Sequence, residues 1–297
     1  ADKNIGWFQG ELPTTEGTTI YMPTVINRYT SKDKNFGFFK VISTHQIGHI
    51  EFGSFAFDFD VPSLIFEDLR QRLPGAKELQ TAKAKAKAET AMRHSEENCL
   101  GDKSCANIEE GQQPISKDIS EESGKPGFLT DMSRFFDLFQ ERRLALDIFT
   151  VLESSRIDGY VADLYPGVLV MYNMVRGAAL ESRPDVTDLP AREALVEFMI
   201  RVSLGQVDSI FVPSEHKETA KKLLRLVRQI TSSEAIVEDT AEATIRAYSI
   251  LIEVKNEELD DDDFEQLNPE EEEEDFESDE DQDVVDPEEL IQQFMGM

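Results

Sequence analysis

Residues His45 to Gly53 read His-Gln-Ile-Gly-His-Ile-Glu-Phe-Gly, with two imidazoles four positions apart. On an α-helix that spacing sets one side chain a turn above the other on the same face, so both rings can reach one cation. The flanking residues predict such a helix. Ser31 can cap it, and Phe38, Val41, Ile42, His45 and His49 recur at steps of three and four, giving a helix over about Lys32 to Glu51 with both histidines on its inward face. A pair of this kind is also at home in a hydrogen-bonded interior or on a solvated surface, and the spacing alone does not choose among the three.

In zincin metallopeptidases the residue after the first histidine is a glutamate that takes a proton from zinc-bound water. Here it is Gln46, close in shape but without a basic carboxylate, and losing such a base costs about 10²- to 10⁴-fold in rate. A metal can stay while hydrolysis is lost. Glutamate-type zincins draw a third ligand from a second helix, for which the candidate is Glu153 in Val151-Leu152-Glu153-Ser154-Ser155-Arg156-Ile157-Asp158. It follows the apolar Ile148, Phe149 and Leu152, where an unpaired charge is costly and a cationic partner is favoured. The expected zinc (Zn2+) site is therefore His45, His49 and Glu153, with Gln46, Arg156 and Asp158 around it orienting the ligands. The plainer reading of Glu153 with Arg156 is an ion pair at i,i+3. Glu51, a spare carboxylate, points away from the histidine face.

Outward from this centre, Thr18 to Met22 predicts a strand and Pro62 to Arg72 a short helix presenting Leu64, Phe66 and Leu69. Residues 77–127 lack a sustained apolar stripe and are expected to be a flexible insertion in the domain spanning residues 1–256. Helices are predicted near Phe128 to Gln140, from Glu141 to Asp158 with Gly159 as its stop, and over 167–178, 190–204, 215–231 and 239–254. Val207 to Val212 is a strand or a connection. Residues 257–286 are expected to be a disordered acidic linker, and 287–297 a short amphipathic helix seated on this body or on a partner. The fold class is mainly α: a helical zincin-like scaffold with a small N-terminal β element and a disordered acidic tail.

Of the 60 acidic residues in the 297-residue chain, 21 lie after Asn256 and none of the 30 basic ones do, so most of the net charge of −30 belongs to the tail. No basic face points to nucleic acid. No apolar run is long enough for membrane insertion, no secretory signal opens the chain, and no GxxxxGK[ST] run suggests nucleotide binding. The expected compartment is the cytoplasm. Cys99 and Cys105 read as reduced loop thiols. With His94 they make three metal-binding side chains at irregular spacing, short of a four-ligand clip.

The run EGTTIYMPTVINRYTSKDKNFGFFKVISTHQIGHIEFGSFAF, followed by LALDIFTVLESSRIDGYVADLYPG, resembles the region upstream of the von Willebrand factor A domain in NorD- and CbbO-like proteins, activators of nitric oxide reductase and Rubisco. The likeness covers about residues 15–60 and 128–180. It implies partnership with a MoxR-type AAA+ ATPase and a target protein complex, with an A domain beyond Met297, since no DxSxS run occurs within the chain. The function expected on this basis is a non-catalytic adaptor domain with a pseudo-metallopeptidase site. The rivals are an active zinc-dependent metallopeptidase or hydrolase, and a purely structural helical domain.

Overall fold

A computed structural model describes residues 14–16, 19–76, 130–232, 234–272 and 284–296. The expected insertion, with His94, Cys99 and Cys105, lies outside them. The fold is mainly helical, as its periodicity predicts. Helix α1 spans Lys32–Glu51, and the Ser31 side chain accepts from the Lys34 backbone N–H at its start. Helices α2 (Asp131–Phe136), α3 (Arg142–Leu164), α4 (Leu169–Glu181), α5 (Ala191–Ser203), α6 (Lys217–Ile230), α7 (Val237–Glu253) and α8 (Pro287–Gly296) follow. Two small antiparallel pairs complete the described residues: β1 (Thr14–Glu16) with β2 (Thr19–Tyr21), and β3 (Ile210–Pro213) with β4 (Phe264–Leu267). No helix among the described residues is long and apolar enough to cross a membrane.

Helix α3 is the axis of the core. It packs most extensively on α7 and also meets α1, α5 and α6, while α1 lies against α3 and α4. Ala145, Ile148, Leu152, Ile157 and Val161 of α3 are fully buried. The spacing between helices is set by two glycines. A Cβ on Gly48 would lie 2.7 Å from Ile157 Cγ2, and one on Gly159 would lie 2.0 Å from the Thr231 carbonyl oxygen. Gly159 therefore does not stop its helix, which continues to Leu164; its missing side chain admits the C-terminal end of α6.

Two further expectations differ from the structure. Residues 62–72 form only a single turn of 3₁₀ helix at Arg70–Arg72, because their backbone N–H groups are taken by carboxylates of α7. Asp239 Oδ1 accepts from Leu64 and Ile65 at 2.7 and 2.9 Å, and the two oxygens of Glu242 accept from Leu69 and Arg70, each at 3.1 Å. Backbone donors satisfied in this way have no need of a helical ladder. The acidic stretch after Asn256 is also ordered in its first part: β4 pairs with β3, burying Leu267, and Lys217 and Lys221 bond Glu265 and Glu272. Residues 273–283 of the expected linker lie outside the described residues.

Candidate metal centre

The C-terminal end of α1 is shaped by its cap. Gly53 takes a left-handed φ of 76°, the Ser54 N–H bonds back to the His49 carbonyl at 2.9 Å, and the Gly53 N–H to the Ile50 carbonyl at 3.4 Å. This closing pattern at a glycine is a common way to end a helix. It also folds Ser54 under His49, where Ser54 Oγ lies 2.9 Å from His49 Nδ1.

Hydrogen-bond chains run outward from the two imidazoles on both sides. His45, nearly fully buried, meets Asp158 Oδ1 and the Tyr172 hydroxyl through Nδ1, both at 2.9 Å. Tyr172 donates to the same carboxylate oxygen at 2.6 Å, and Arg176 pairs with Asp158 Oδ2 at 2.9 Å. Burial alone would raise the Asp158 carboxyl, but Arg176, then His45 and Tyr172, overrule it and lower it to about 2. On the other side Ser54 Oγ donates to Glu153 Oε1. Glu153 also accepts from Arg156 at 2.5 and 2.9 Å and from Thr240 Oγ1 at 2.8 Å. Burial again opposes the charge, but the Arg156 guanidinium holds this carboxyl below its usual range.

Proton accounting fixes the direction of the bonds at both Nδ1 atoms. An ionised carboxylate only accepts, and a serine hydroxyl has one proton to give. Ser54 gives its proton to Glu153, so His49 Nδ1 must donate to Ser54; Asp158 is ionised, so His45 Nδ1 must donate to it. The two Nε2 atoms then face each other at 3.3 Å, and a ring that is neutral carries its lone pair there. Two lone pairs at hydrogen-bond distance repel unless a proton or a cation lies between them. Burial, then the neighbouring His45, lowers the His49 pKa to about 3, which disfavours charge on that ring.

The separation fits a metal. Two imidazole nitrogens about 2.0–2.1 Å from a tetrahedral zinc ion stand about 3.3–3.4 Å apart. His49 is half-buried and His45 nearly fully buried. The remaining ligands are less complete. Glu153, the expected third ligand, reaches the centre only through Ser54, because four donors from Ser54, Arg156 and Thr240 occupy its two oxygens. Among the described residues no group of three His, Cys, Asp or Glu side chains is arranged to hold a metal ion. Asp158 bonds His45 Nδ1, and Arg156 bonds Glu153, the Phe52 carbonyl at 3.0 Å and the Ala235 carbonyl at 3.3 Å. Gln46 is buried beside the pair. Glu51 points elsewhere, its carboxylate accepting from the exposed Tyr165 hydroxyl at 2.7 Å.

Ser54, Tyr172, Arg176 and Thr240 also join the site. Only Ser54 had a local signal, following a glycine at a helix end. Searches of family models, curated proteins and solved structures returned no match to this chain.

Proposed function

We propose that the chain is a zincin-like scaffold whose His45–His49 pair binds one zinc ion without hydrolytic chemistry, serving as an interaction module. The carrying observation is the convergence of two Nε2 atoms at 3.3 Å in rings whose Nδ1 atoms already donate outward. His45 and His49 would supply two ligands, with the others coming from solvent or from a partner's side chain. A bound zinc would act here as a Lewis acid holding two helical turns in register. Asp158 and Ser54 fix the rings; Tyr172 and Arg176 hold Asp158, and Glu153, itself held by Arg156, accepts from Ser54.

The non-catalytic half of the reading rests on proton acceptors. Gln46 is an amide, Glu153 is saturated by four donors, and Glu51 is bonded to Tyr165 away from the pair. None is poised to take a proton from water at the centre. The adaptor role, with a MoxR-type AAA+ ATPase and a target complex as partners in the cytoplasm, rests on the sequence resemblance alone.

Equilibrium dialysis against zinc followed by elemental analysis tests the metal. One equivalent should bind the wild type and be lost in His45→Ala and His49→Ala; no zinc in the wild type, or equal zinc in all three, would remove the reading. A fluorogenic peptide assay tests the rest. Wild-type hydrolysis that His45→Ala abolishes would favour the peptidase.

A further inference from the structure

Two apolar surfaces of opposite charge face solvent. The first lies near the start of α1, turned away from the histidines, where Lys32, Phe36, Phe39 and Lys40 recur at helical steps. Phe36 is 58% and Phe39 41% exposed, Lys40 Nζ stands 4.8 Å from the Phe36 ring centroid, and the exposed Met171 of α4 extends the patch beside Gly37. Residues 28–50 hold four basic side chains and one acidic one. The second surface is the loop before the 3₁₀ turn at Arg70–Arg72. It exposes Val61, Leu64 and Ile65, and residues 58–68 hold four carboxylates and no basic side chain.

This loop is held firmly. Besides the Asp239 bonds to Leu64 and Ile65, the Phe66 N–H donates to Ser63 Oγ at 3.0 Å, and Arg70 Nη2 donates to the Val61 carbonyl at 2.8 Å. Apolar side chains on a backbone fixed in advance lose little freedom when they are covered. Within one chain the two surfaces stay apart. Glu238 accepts from the Asp58 N–H at 3.0 Å, fastening the loop to the start of α7, and Arg156 joins that region to Phe52 at the end of α1. Phe36 lies about 22 Å back from that end, at 1.5 Å per residue.

We propose that the chain associates with a second copy of itself head to tail, the Val61, Leu64 and Ile65 loop of one copy seating on the Phe36 and Phe39 face of the next, with Asp60 and Glu67 beside Lys32 and Lys40. Glu67 pairs with Arg72 but keeps 56% of its surface. Charge selects this arrangement: face against face would set lysines on lysines, and loop against loop carboxylates on carboxylates, whereas loop against face joins opposite signs. Most of the net charge of −30 belongs to the tail, and repulsion between exposed charges is screened beyond about 8 Å at physiological salt. Because the two copies use different patches, each contact leaves one loop and one face open to further copies. The patches are well short of the about 20–30 residues a side of a standard interface, so the association is weak. The proposal is independent of the metal centre.

Sedimentation equilibrium of the full chain, run in chelator, tests it. The mean mass should rise with concentration between about 10 μM and about 1 mM, the range of a weak association. Phe36→Ser/Phe39→Ser and Leu64→Ser/Ile65→Ser, each confined to an exposed patch, should remain monomeric alone. Their equimolar mixture should form a dimer and nothing larger, because one intact loop meets one intact face. Lys32→Glu/Lys40→Glu, changes at the surface only, should weaken the wild-type association at least about 10-fold. A monomeric wild type, undiminished association of either apolar variant alone, a mixture that stays monomeric, or a charge variant equal to wild type would each overturn the proposal. So would a monomeric chain that co-sediments with vesicles of phosphatidylcholine and phosphatidylserine, which would assign the α1 face to an anionic membrane.

Discussion

His45 and His49 meet through their Nε2 atoms at 3.3 Å, while their Nδ1 atoms are directed to Asp158 and Ser54. Each ring is thus held by its far nitrogen, with its near nitrogen left to a shared proton or a shared ion. The orientation depends on carboxylates buried on α3, and substitutions there separate metal binding from stability.

Asp158→Asn keeps the shape but removes the charge that fixes the His45 Nδ1 proton and balances Arg176. Zinc affinity should fall by about 10- to 100-fold, the usual effect of losing a hydrogen-bonded support behind a ligating histidine. A competition titration with a chelating dye measures it.

Glu153→Gln should act mainly on stability. Arg156 would keep its charge in a buried site without its paired carboxylate, which costs about 3–5 kcal/mol. Chemical denaturation should show that loss, while the folded variant still binds zinc, because the carboxylate lies behind Ser54. Loss of zinc equal to that of His45→Ala would make Glu153 a direct ligand.

Acid should weaken the zinc-free protein by a definite route. The His49 pKa is lowered to about 3 in the folded state from an ordinary 6.5, so between those values the unfolded chain binds the extra proton and stability rises with pH. Asp158, lowered to about 2 from 3.8, adds stability that is present above 3.8 and lost as pH falls through 2. Both slopes have the same sign. Urea midpoints measured in chelator should therefore drop steadily from pH 7 to pH 3, and His49→Gln should flatten the upper part of that range.

Gly159→Ala places a Cβ 2.0 Å from the Thr231 carbonyl oxygen, and the α3–α6 contact must shift. A loss of about 1–3 kcal/mol or more is expected from such overpacking. Gly177→Ala, in α4 with no atom within 4 Å of the added carbon, should instead stabilise by about 0.5–1 kcal/mol. Denaturant midpoints of the two variants should move in opposite directions.

Helix α1 was legible because its cap and its apolar face are both local. The same local evidence misread Pro62 to Arg72. The spacing of Leu64, Phe66 and Leu69 looks helical, but the acceptors that draw the backbone into another path are Asp239 and Glu242, more than 170 positions away. Those carboxylates were themselves hidden. Glu238, Asp239, Glu242 and Arg246 give α7 a polar sequence, yet all four are buried, because they serve one another and the 58–70 segment. Gly159 shows a similar limit. A glycine after a helical run reads as a stop, and only the approach of Thr231 explains why the helix passes through it. Glu153 was correctly placed on an inward face, but its four donors come from α7, from its own helix and from the turn after α1. Spacing within its own helix shows the Arg156 pair at i,i+3, but not the donors from Ser54 and Thr240 that take the remaining capacity of its oxygens.

The shared site between the imidazoles is tested most directly by nitrogen-15 NMR of the two histidine rings during a zinc titration. We expect Nδ1 to remain protonated in both rings, and both Nε2 resonances to move together and stop moving at one equivalent. Movement of one ring alone, or of neither, would contradict a cation held between His45 and His49.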